Sequence, residues 1–187
     1  MTVRARRIRA PRLLGLLTCA GPALLAPLGP VRAEAPAGEG GKAAVFAAEM
    51  NDPSLAYGRK PVPAEQKRLA LVTDELRKAL SDKAGLASVD LAPQQEEIAK
   101  QAPLWKCNGC ASDIAKALGA GYAVTTTVEK GAGQIFNLDV AIADSATGKV
   151  VRSGLVVIRA NTDDDWTHAM RWVVKNRLLT EPLPGRS

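Results

Sequence analysis

Cys107 and Cys110 stand three apart in the stretch Trp105-Lys106-Cys107-Asn108-Gly109-Cys110. In an oxidising compartment such a pair closes a small disulfide ring. At a helix start the same spacing supports thiol–disulfide exchange, because the helix end stabilises an attacking thiolate. Haem attachment needs a histidine directly after the second cysteine, and Ala111 stands there instead. A structural zinc site needs four ligands, and no third or fourth candidate stands near the pair. A structural disulfide between Cys107 and Cys110 is the preferred reading; a redox-active pair is the alternative.

The second candidate is the run Asn161-Thr162-Asp163-Asp164-Asp165. Alternating Asn161, Asp163 and Asp165 suggest a cation loop. The calcium pattern then requires glycine at the sixth position and glutamate at the twelfth, where Trp166 and Trp172 stand. A helix start fits better: Thr162 as the cap and Asp165 three places on. His168, the single histidine, lies one turn into that helix. A general base there would need a substrate or nucleophile within reach. No nucleophile elbow, phosphate loop or paired-carboxylate signature accompanies it. The expectation is no catalytic residue, no metal and no cofactor. Trp105 and Trp172 are candidates for a partner surface, because exposed tryptophan marks such surfaces.

The elements that must position these residues read as follows. Ala43 to Glu49 is an apolar run expected as one buried strand. Ala64 to Ser81 is the clearest helix: Leu69, Val72, Leu76 and Leu80 recur at three and four. Lys67, Arg68, Asp74, Glu75, Arg77 and Lys78 cover its other side. A short strand over 87–91 and a helix over 94–101 follow, stopped by Pro103. Ser112 to Leu118 reads as a short helix closed by Gly119. Three strands come next, over 122–129, 135–143 and 149–160, joined by short turns and expected as an antiparallel meander. Phe136, Leu138, Val140 and Ile142 alternate with polar residues, so one face is buried. A last helix carries Trp166, Met170, Val173 and Val174. The fold class expected is α+β: a two-layer sandwich, a mixed sheet of about five strands with helices packed on it.

Residues 1–33 read as a cleaved signal peptide. Five arginines precede an apolar run broken by glycine and proline, and Val31-Arg32-Ala33 offers a cleavage site. The run is too broken to span a membrane as a helix. Cys19 follows Thr18, which disfavours lipid attachment there. Residues 34–42 form a flexible leader, 43–180 a single domain and 181–187 a tail. The chain has 187 residues and a formal charge of +6, with 25 Lys and Arg against 19 Asp and Glu. Six of those arginines lie in 1–33, where no acid stands, so the exported chain is formally neutral. A nucleic-acid partner is therefore not expected.

The blocks PAEQKRLALVTDELRKAL, CNGCASDIAKALGA, RANTDDDW and KNRLL resemble an uncharacterised family of small exported proteobacterial proteins. The order of elements also resembles the amino-terminal domain of TolB and the curli secretion lipoproteins. The second resemblance implies a fold, not an activity. Together these point to a non-enzymatic periplasmic binding or assembly module with a protein partner in the cell envelope. The alternatives are a periplasmic thiol–disulfide protein using Cys107 and Cys110, and an accessory to a periplasmic oxidoreductase.

Overall fold

The computed structural model describes residues 41–131 and 135–184. The expected signal peptide, Cys19 and most of the leader lie outside the described residues.

Among the described residues six strands form one mixed sheet. They are β1 (Lys42–Val45), β2 (Glu49–Asn51), β3 (Ala87–Ser88), β4 (Tyr122–Lys130), β5 (Phe136–Asp144) and β6 (Val150–Ile158). The order is β3-β1-β4-β5-β6, with β2 paired to β4. The strands β1, β2 and β3 run parallel to their neighbours, and β4, β5 and β6 form the antiparallel meander. Among the described residues four α-helices pack with it: α1 (Pro63–Ala84), α2 (Gln95–Gln101), α3 (Cys110–Ala117) and α4 (Asp163–Val173).

The strand expected over 43–49 is two strands. Val45 pairs with Val124, whereas Glu49 pairs with Thr127, so one extra residue is lodged between them. The Thr73 hydroxyl accepts from the Ala48 amide at 2.9 Å and holds the break. This split raises the strand number from about five to six. The strand expected over 87–91 pairs only at Ala87 and Ser88.

On one face, α1 and α4 cover the sheet. Leu69, Val72, Leu76 and Leu80 from α1 meet Val124, Phe136, Leu138, Val140 and Ile142, with Trp166, Met170 and Val173 from α4. The rings of Phe136 and Trp166 lie 5.1 Å apart and tilted by 58°, an arrangement their quadrupoles favour. The sheet packs closely against the end of α4 at Gly154. A Cβ there would meet Arg177 Cβ at 2.5 Å and Val173 Cγ2 at 2.6 Å. There α4 runs on as a π-helical turn, Val174–Leu178. Part of the expected tail is anchored: Leu183 is buried in this same core, and the Tyr122 hydroxyl donates to the Pro184 carbonyl.

On the opposite face, a smaller cluster joins Ala44, Phe46 and Ala123 to Leu104, Ile114 and Ala115. Thus α3 and the turn before it cover one end of that face. Among the described residues, no helix packs on the rest of it, under the meander.

Candidate functional site

The uncovered face is built by alternation. Even-numbered residues of β4 and β5 point into the main core, so odd-numbered ones point away. The pairing registers align Glu49, Thr127, Asp139 and Leu155 in one row across β2, β4, β5 and β6. The next row holds Asn51, Glu129, Asn137 and Val157. Leu155 is 53% exposed and Val157 43%, on a nine-residue edge strand whose one charged residue, Arg152, is drawn to Glu181 and the Pro182 carbonyl.

The two ends of the first row differ. At one end, the Glu49 carboxylate accepts from the backbone amides of Leu104, at 3.0 Å, and Trp105, at 3.4 Å. Leu104 is buried, whereas Trp105 is 37% exposed, with the Lys106 ammonium 4.9 Å from its ring centre. At the other end stands bare Leu155. Between them, Asp139 has its carboxyl held above the ordinary carboxylate range by burial. Among the described residues its side chain has no hydrogen bond or ion pair.

The cysteines sit beside Trp105. The Cys107 and Cys110 sulfurs lie at bonding distance, with Cα atoms 5.9 Å apart. The Cys110 amide donates to Cys107 Sγ at 3.2 Å. Helix α3 begins at Cys110, two residues earlier than the sequence suggests. Gly109 precedes it at φ 94°, a backbone conformation that glycine reaches without strain. The pair therefore closes the turn that carries Trp105 against the start of α3.

Thr162 accepts from the Asp165 amide at 3.2 Å, and its hydroxyl meets the Asp165 carboxylate. The acids of this helix start face cations already. Arg68 donates to Asp163 at 2.8 Å and to Asn161 at 2.9 Å. Among the described residues, no group of three or more His, Cys, Asp or Glu could hold a metal ion. His168 is exposed in the groove between α1 and α4, near Glu75 and Arg171, which pair at 2.6 Å. Trp172 is 38% exposed on α4, with the Arg177 guanidinium 5.5 Å from its ring. It lies on the helix side of the sheet and Trp105 on the other, so the two tryptophans do not form one surface.

A family model described as "Protein of unknown function (DUF2380)", DUF3280, matches residues 41–178. The chain belongs to the DUF3280 family. A comparison with curated proteins finds no match. Among solved structures, this DUF3280 chain is similar to the LpoB C-terminal domain from Salmonella enterica. That likeness has 20% identity and a TM-score of 0.47, over 65% of this chain and 84% of that one. Lipoprotein GNA1162 from Neisseria meningitidis is 18% identical with a TM-score of 0.44, over 64% and 81%. A PelC dodecamer from Paraburkholderia phytofirmans is 13% identical with a TM-score of 0.40, over 72% and 85%. Among the described residues of the DUF3280 chain, no helix is long and apolar enough to cross a membrane.

Sequence reasoning did not single out Glu49, Asp139, Leu155 or Val157. One signal was available for the last two. Leu155-Val156-Val157-Ile158 is apolar at both parities, where a strand with one wet face should alternate.

Proposed function

We propose that this chain is a non-enzymatic binding or assembly module of the cell envelope, exported with removal of residues 1–33. A protein partner seats on the open sheet face between Trp105 and the β6 edge. The observation that carries this reading is the row Glu49, Thr127, Asp139, Leu155. It places a fixed tryptophan turn at one end, an exposed apolar edge at the other, and a carboxyl without a partner between.

Each part has a physical use in binding. An unpaired apolar edge strand is a liability that proteins normally blunt with charge or proline. Uncharged over residues 153–158, β6 offers main-chain groups to an added strand and Leu155 and Val157 to its side chains. Trp105 supplies a large anchor at low entropic cost. The Asp139 carboxyl would gain a donor from the partner and recover the solvation it lacks. In this reading the Cys107–Cys110 disulfide is structural and keeps the Trp105 turn in place.

Affinity capture of the exported protein from its own periplasm tests the proposal. The unmodified chain should retain a partner that Val157→Glu loses while keeping its melting temperature. Equal retention by both would remove the open face from the account.

A second reading rests on the Cys110 amide donating to Cys107 Sγ at the start of α3. That geometry would stabilise a thiolate and so favour thiol–disulfide exchange. Catalysed insulin reduction, abolished by Cys107→Ser, would support it over the structural role.

A further inference from the structure

We propose that the crevice at the carboxyl ends of β1 and β3 is a binding site for a small amphiphile with an apolar body and an uncharged or cationic head. The site borders the open sheet face, sharing Glu49 and Leu104 with its Trp105 end, and does not include Leu155 or Val157.

Its origin is topological. Helix α1 carries the chain from β2 to β3 over one face of the sheet. From β3 the chain returns through α2 and α3 over the opposite face, passes β1, and enters β4 on the far side. Strand β1 thus lies between neighbours whose connections run on opposite faces. In open sheets such a point leaves a crevice outside the carboxyl ends of the strands, and ligands bind there. Two local features widen it. Beyond Val45 the chain steps away, so that β2 pairs with β4 alone. Strand β3 stops at Ser88. The corner left without a strand is a cavity of about 520 Å³, within the range of roughly 300–1,000 Å³ for small-ligand pockets.

The lining states the chemistry. Phe46, Val89, Leu91, Ile98 and Leu104 supply the apolar surface. The charged groups around it are already bonded. Arg77 donates to the Val45 carbonyl at 3.1 Å and to Asp74 at 3.2 Å. Asp90 accepts from the Ala92 amide at 3.0 Å, and Glu49 holds the Leu104 and Trp105 amides. The lining therefore sets two carboxylates, Glu49 and Asp90, against one guanidinium that Asp74 already pairs. That balance repels an anionic head and tolerates a neutral or cationic one. Among the described residues the Gln95 side chain, also in the lining, has no hydrogen bond, so it is free to meet a polar head.

The test is titration of the purified chain with N-phenyl-1-naphthylamine, an uncharged apolar fluorophore. The expected result is one saturable site. Dodecyltrimethylammonium below its micelle concentration should displace the dye, and dodecanoate should need at least about tenfold more. Ala47→Trp changes an exposed residue of the lining and should weaken dye binding about tenfold or more. Ala92→Trp, also exposed, serves the same purpose should the first variant fail to fold. Val157→Glu, on the open face, should bind the dye as the unmodified chain does. No saturable binding, blocking variants that bind normally, displacement by dodecanoate as readily as by the ammonium, or loss in Val157→Glu would each overturn the proposal.

Discussion

Lys130 places its ammonium 2.8 Å from both carboxylate oxygens of Glu65, a residue only 4% exposed. The pair joins the end of β4 to the first turn of α1. Asp52 approaches the same ammonium at 3.5 Å, and Asn161 donates to Glu65 at 3.1 Å. Arg68 continues the chain of contacts from Asn161 to Asp163. One polar network thus ties the loop before α1, the end of β4 and the start of α4.

Removing the cation leaves a buried carboxylate without its charge partner. Lys130→Met should destabilise the fold by about 2 kcal/mol in denaturant melts. That is less than the roughly 3–5 kcal/mol of fully buried pairs, because Lys130 is partly in water. The pH limits follow the same groups. The Lys130 pKa is raised above 10.5, first by its hydrogen bond to Glu65. Its contribution is complete below pH 10.5 and is lost as pH rises through the higher folded value. The Asp52 pKa is lowered below 3.8, first by the Ser54 hydroxyl. Its contribution is complete above pH 3.8 and is lost as pH falls through the lower folded value. Melts should show both limbs, and Lys130→Met should flatten the alkaline one.

Gly154 is required for contact rather than for conformation. Its added methyl in Gly154→Ala would enter the space of Arg177 and Val173. The expected cost is about 1–3 kcal/mol, the range for overpacking a tight contact. A stability unchanged within about half a kcal/mol would show that the π-helical turn slides away freely.

The meander and the long helix were legible because their signals are local. Phe136 to Ile142 alternates over seven residues, and Leu69, Val72, Leu76 and Leu80 keep helical spacing. The split at Ala47 and Ala48 was not legible. Ala43 to Ala48 is apolar throughout, so no alternation marks an inserted residue. Glu65 carried a local meaning, an acid in a helix's first turn. Its partner, Lys130, lies 65 residues away, beyond any local pattern. The Cys107–Cys110 spacing and the Thr162–Asp165 start of α4 each lie within a few consecutive residues, whereas the open face is assembled from strands far apart in sequence. Among the described residues it is open because α2 and α3 are shorter than α1 and α4, which cover the other side.

The cysteine pair closes a short loop, so it constrains the unfolded chain little. Cys107→Ser with Cys110→Ser should lower the melting temperature by about 2–4 °C, as a loss near 1 kcal/mol would. Amide exchange at Leu104 and Trp105 should quicken as the turn loosens. An unchanged exchange rate there would separate the pair from the Trp105 turn.

Asp139 predicts an exchange of stability for binding. Burial raises its pKa, so a charged carboxylate opposes folding at neutral pH. Its relative contribution is best below pH 3.8 and worsens as pH rises through the folded value. Asp139→Asn should therefore be slightly more stable at pH 7, with the difference closing on acidification. The same variant should weaken partner binding. A variant that is less stable at pH 7 would show that the carboxylate has a partner within the fold.

The central claim is that the partner sits on the open face and not on the helix side. Photo-crosslinking in the periplasm tests it most directly, with a benzoylphenylalanine placed at Leu155 or at Trp172. The account predicts one discrete adduct from position 155 that Val157→Glu abolishes, and none from position 172. An adduct from position 172 with none from position 155, or one from 155 that Val157→Glu leaves intact, would contradict it.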